Sequence, residues 1–219
     1  MATEKDLTTI EYEAWRVIEF GRREPERVVP QYPSWTLRDL VLHVAGVHGR
    51  TAVVCETLAT ERVPLATLPA DADPFDWAAE QLARMLAALA AADPAARVWT
   101  FVDDPSLGFW SRRMVVETGV HRWDAQSASG DPAPLLDRVA IHGLDEFTGL
   151  YLPRLGEVPT IELRATDLDR SWTYGEGRHE ARVEGTASEL VLRLMSRPGV
   201  AMPHPWEQAV DALGSPADG

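Results

Sequence analysis

The chain is poor in cysteine, in lysine and in long apolar runs. Among its 219 residues there is one cysteine, Cys55, and one lysine, Lys5. A single cysteine excludes an intrachain disulfide and a cysteine-type zinc site, and it leaves room for thiol chemistry whose sulfur comes from a cofactor. No stretch approaches the roughly 18 consecutive apolar residues of a membrane helix. The start "MATEKDLTTIEYEAW" lacks the basic and apolar segments of a secretory leader, so the expected setting is cytoplasmic, with no membrane partner. Basic residues are outnumbered, 21 against 34 acidic, for a net charge of −13, and they are scattered along the chain. Such a field repels phosphate backbones, which argues against a nucleic-acid partner. A sustained heptad seam is also missing, which argues against a coiled-coil dimer.

What is present is helical periodicity punctuated by proline. Leu7, Ile10, Ala14, Val17 and Ile18 mark a first helix over 4–23, ended by "REPERVVPQYPSW". Thr36 and Asp39 have the spacing of a capping box for a second helix running to about Leu58. Asp73 and Pro74 open a third, alanine-rich one. A fourth covers about 109–127, and a fifth about 136–152. Beyond Pro153 the period changes. "TIELRAT" alternates as a half-buried strand, two more strands flank the turn "GEG", and Thr186 with Glu189 caps a closing helix. The expected fold is α+β: an up-and-down helical bundle over 1–153 and a small β-β-β-α unit over 154–219.

The chemistry concentrates in "RRMVVETGVHRWDA". On a helix, Trp110, Met114, Glu117 and His121 fall along one stripe. A carboxylate buried there without a partner would cost several kcal/mol or take up a proton. Glu117 and His121 are separated by about 6 Å of rise and about 40° of rotation, so their side chains can converge on one ion. His43, between Leu40 and Val47 on the apolar side of the second helix, is the candidate third donor. Two histidines and a glutamate leave a coordination position open, which is the catalytic and not the structural pattern. The bland alternatives are a hydrogen-bonded core histidine for His43 and a surface pair for Glu117 and His121. Asp39 fits a cap or a support for His43, and Asp124 fits an orienting role for His121 or a solvated helix edge.

Two stretches, "WTLRDLVLHVAGVH" and "FWSRRMVVETGVHRWDA", resemble the paired motifs of the mycothiol-dependent maleylpyruvate isomerase family. Its first domain is a DinB-like four-helix bundle. Its second domain is likened to sterol carrier protein 2 (SCP2-like), and "ELRATDLDRSWTYG" followed by "VEGTASELVLRLMSR" is similar to it. The resemblance implies a divalent metal, zinc in the first place with nickel as an alternative, on His43, Glu117 and His121. It implies mycothiol as cofactor, a low-molecular-weight thiol added to or transferred onto a small electrophilic or unsaturated substrate. It also implies a substrate arginine late in the second domain, matched to Arg197. The expected activity is that of a metal-dependent thiol transferase or isomerase. The competing readings are a metal-dependent hydrolase on the same bundle and a non-enzymatic small-ligand binding protein.

Overall fold

The computed structural model describes residues 3–130 and 132–213, with 178–180 described by backbone alone. Its contacts divide the chain into two compact units, 1–133 and 134–219. The first is a bundle of four helices, α1 (Glu4–Arg23), α2 (Leu37–Thr57), α3 (Pro74–Ala91) and α4 (Leu107–Ala128). Three of them start where short polar side chains satisfy the free amides of a first turn. Thr3 and Asp6 form a capping box on α1, and Thr36 and Asp39 form one on α2. On α3 the Asp73 carboxylate accepts from the amides of Phe75 and Asp76, both at 3.0 Å, with Pro74 in the first position. Asp39 is therefore occupied as a cap.

Val17, Ile18, Val41, Val44, Ala45, Trp77 and Ala78 form one apolar cluster between α1, α2 and α3. Helix α4 packs on α1 and α2 and is buried on nearly every side. Its low amphipathicity follows from that central place: it has no wet face to mark with polar residues. The segment between α1 and α2, expected to be loop, holds a small hairpin of β1 (Val28–Val29) and β2 (Tyr32–Thr36). Its strands are short and carry Pro33, which hides them from any periodicity test.

The second unit contains α5 (Asp137–Leu150), the sheet strands β3 (Pro159–Ala165), β4 (Arg170–Tyr174) and β5 (Glu176–Gly185), and α6 (Ala187–Leu194) and α7 (His204–Leu213). The division thus falls ahead of α5, not after it at 153. Helix α5 packs on α6 and β4. Gly143 lets Val191 approach so closely that a Cβ would lie 3.0 Å from it, and the Tyr174 hydroxyl donates to the Leu144 carbonyl. The change of period at Pro153 marks a change of element type within one unit. The strand order is β4-β3-β5, with β3 antiparallel to β4 and parallel to β5. The strands on either side of "GEG" therefore flank β3 instead of pairing with each other. Helix α7 was not foreseen among its prolines; it seats a fully buried Trp206 whose indole N–H donates to Pro159 O at 2.7 Å.

Gly175 makes the step out of β4. Its φ is +85°, and a Cβ there would lie 2.5 Å from Pro159 O and 2.8 Å from Val158 O, both backbone atoms. Gly177 has nearly the same φ, +84°, with nothing near a Cβ. Gly177→Ala is expected to cost about 1–2 kcal/mol from left-handed backbone alone. Gly175→Ala, with the collision added, is expected to cost clearly more in urea unfolding of the full chain. Equal losses would mean that the collision relaxes freely.

Among the described residues no helix is long and apolar enough to cross a membrane.

Candidate metal centre

Helices α2 and α4 bring together the three side chains that spacing selected. One donor atom from each of His43, Glu117 and His121 lies within 4.8 Å of the others. Glu117 Oε1 is the common point, 3.2 Å from His43 Nε2 and 3.2 Å from His121 Nε2. Bonds of about 2.1 Å would hold their donors about 3.4 Å apart at a tetrahedral angle and about 3.0 Å apart at a right angle. Both separations from Glu117 Oε1 fall in the range that an ion shared with either imidazole would set. The donor set of two imidazole nitrogens and one carboxylate oxygen suits zinc and its neighbours.

Glu117 and His121 are oriented from behind. His121 Nδ1 lies 3.0 Å from Oδ2 of Asp124, which is fully buried. A carboxylate on Nδ1–H anchors the ring and directs Nε2 at Glu117 Oε1. Of the two roles open to Asp124, the structure thus gives it the orienting one. Arg113, one turn before Glu117 on α4, donates to Glu117 Oε2. The His43 ring packs against Trp35 at 5.0 Å and meets the His121 ring edge-on at 5.1 Å. Tyr32 stacks on Trp35 at 4.6 Å and lies 6.0 Å from His121. The hairpin between α1 and α2 therefore supplies an aromatic wall to the two imidazoles.

Burial pushes the Glu117 carboxyl up, but Arg113 foremost, then His121 and His43, outweigh it and hold the group well below the usual carboxylate range. This resolves the expected penalty of a carboxylate on an oily face: the charge is kept and compensated. Burial likewise pushes His121 down, yet the charge of Glu117 prevails and raises it to about 10.

His48, also on α2, takes no part. It is buried, bonds Thr118 Oγ1 through Nε2 at 3.0 Å, and is pushed down to about 4 by burial. Arg50, two turns beyond His43, is buried over the faces of Trp110 and Trp99 at 5.4 and 5.8 Å. Burial lowers its guanidinium to about 10 against the opposing pull of Glu117. Cys55 is buried and its thiol is pushed up to about 12 by burial, so it remains a thiol at neutral pH. Arg197 stands in the second unit just after α6, buried, with NH1 donating to Met195 O at 2.6 Å.

Sequence reasoning missed Arg113, Arg50, Tyr32 and Trp35. Arg113 was legible as the i−4 neighbour of a buried carboxylate; nothing local marks the other three.

The comparisons agree with this architecture. Two solved structures share the fold across 92% of this chain and 95% of theirs, each with a TM-score of 0.68 and 16% identity. They are a mycothiol-dependent maleylpyruvate isomerase and a histidine-to-alanine variant of it. None of the curated proteins matches the chain in sequence. Residues 16–126, just over half of the chain and including all three converging side chains, match the profile of the mycothiol maleylpyruvate isomerase N-terminal domain. By that match, the chain belongs to the mycothiol maleylpyruvate isomerase N-terminal domain family.

Proposed function

We propose that this protein is a divalent-metal-dependent thiol transferase or isomerase. On this reading it uses mycothiol as its low-molecular-weight thiol and acts on a small electrophilic or unsaturated substrate. The observation that carries the reading is the convergence of His43, Glu117 and His121 in a chain of this family. Those three residues would hold the ion and leave a position for a ligand from solution. When bound there, a divalent ion lowers the pKa of a coordinated thiol, so that thiolate is available at neutral pH.

The chain's own residues prepare for this. Asp124 keeps the His121 proton on Nδ1, so Nε2 can act as a donor. Tyr32 and Trp35 keep water from one side of the imidazoles. Cys55, with its thiol pushed up to about 12 by burial, offers no competing protein thiolate.

The test is a conjugation assay with mycothiol and a panel of electrophiles, before and after chelation. Turnover that needs both the ion and the thiol is expected. Hydrolytic turnover without thiol would favour the metal-dependent hydrolase reading, and full activity after chelation would end the metal reading.

A pH dependence follows. With His121 raised to about 10, metal-free protein carries the additional proton on this ring at neutral pH, and an ion must displace it. Glu117, already ionised, gives up none. Apparent affinity is therefore expected to rise with pH, about tenfold per unit between pH 7 and the His121 pKa, and to level off above it. Zinc added to weakly buffered protein at pH 8 should release about one proton per ion bound to this ring. A flat affinity between pH 7 and 9 would contradict this.

A further inference from the structure

The two oxygens of Glu117 face different partners. Oε1 stands 3.2 Å from both imidazole Nε2 atoms, while Oε2 is taken by the Arg113 guanidinium. Both residues are buried at 9% exposure and lie one turn apart on α4, a helix enclosed along this length. Neither side chain therefore has solvent into which it could swing. We infer that Arg113 is a positioning residue that reserves Oε2 and so restricts Glu117 to a single oxygen toward the metal.

The inference rests on the proposed metal site and adds a claim about how many positions remain for ligands. A carboxylate can bind an ion through one oxygen or through both. Through both, His43, Glu117 and His121 would occupy four positions, and a solvent or thiol ligand would raise the site to five-coordinate. Through one, they occupy three, and a thiol can bind. A charge-assisted bond from a guanidinium is about twice as strong as a neutral one, and its partner here is held by the same helix. The cost is a cation beside a cation, since Arg113 repels the incoming ion. That cost argues against Arg113 being there to tighten metal binding and favours a role in setting coordination number.

Cobalt(II) reports coordination number through its visible bands, which are strong in four-coordinate sites and weaken as coordination rises. Cobalt-loaded full-length parent, Arg113→Gln and Arg113→Lys proteins should be compared at saturating ion. The expected result is several-fold weaker, shifted bands in Arg113→Gln and parent-like bands in Arg113→Lys, which keeps a cationic donor near Oε2. Identical bands in the parent and Arg113→Gln would overturn the inference. So would bands in Arg113→Lys that match those of Arg113→Gln, because packing and not the bond to Oε2 would then be at work. If Arg113→Gln does not fold, a crystal structure of the cobalt-loaded parent asks the same question. Oε2 on Arg113 and away from the ion is expected there, and both oxygens on the ion would overturn the clamp. A parent that takes up no cobalt refutes the metal site itself, which separates failure of that reading from failure of the clamp.

Discussion

A His43→Ala variant is expected to leave purification with almost no divalent ion, where the parent carries about one equivalent. The reason is the division of donors between helices. His43 is the only one of the three from α2; without it, the ion would rest on Glu117 and His121, one turn apart on α4. Those two already have each other, with Arg113 and Asp124 behind them, so the pair is satisfied without any metal. Loss of a supporting residue outside the coordination sphere typically weakens a metal site about 10- to 100-fold. Loss of a donor should exceed that, and thiol-conjugating activity should fall with it. His48→Ala is the matched comparison, five residues along the same helix. That side chain is buried on Thr118 and neutral, so its removal should lower stability by about 1–3 kcal/mol and leave ion content near the parent value. Elemental analysis of the two variants and the parent reads both outcomes. Unchanged ion in His43→Ala would remove α2 from the site.

The candidate site was legible because its chemistry conflicts with its surroundings. A glutamate and a histidine at i,i+4 within "MVVETGVHRW" stand where an enclosed helix should be apolar, and only a mutual partner or an ion relieves that conflict. His43 was found by the same test on α2, and the capping boxes at Thr36 and Thr186 were visible because they act over three residues. What escaped depends on distant contacts. Tyr32 and Trp35 reach the imidazoles from a hairpin whose strands are too short and too rich in proline to show a period. The unit boundary escaped because α5 and α1 read alike as amphipathic helices, and only the packing of α5 on α6 and β4 decides which unit owns it. The strand order β4-β3-β5 escaped because adjacency across a tight turn suggests pairing, which here is not made.

Arg122→Ala should destabilise the bundle by about 3–5 kcal/mol near neutral pH. Arg122 and Glu13 form a buried pair between α4 and α1, with Nε 2.7 Å from Glu13 Oε2; Glu13 is fully buried and Arg122 is 4% exposed. Arg122 also donates to Gln126 Oε1 at 3.0 Å and to the Ala133 carbonyl at 2.7 Å. Glu13 is less well provided for, since its Oε1 has no hydrogen-bond partner among the described residues. Burial accordingly prevails over Arg122 and raises the Glu13 carboxyl above its ordinary value. A raised acid favours the folded state most at low pH and loses that contribution as pH climbs through its folded pKa. Ionised Glu13 is thus a burden that Arg122 offsets only in part. Removing the arginine leaves that charge uncompensated and raises the carboxyl further, so the loss should be larger at pH 7 than at pH 5, since lower pH favours the protonated carboxyl. Glu13→Gln should cost far less than Arg122→Ala at pH 7, and the double variant Glu13→Leu, Arg122→Met should recover most of the stability. Urea unfolding of metal-free protein at the two pH values decides the matter. Equal losses at pH 7 and pH 5 would mean that Arg122 acts through its bonds to Gln126 and Ala133 and not through its charge on Glu13.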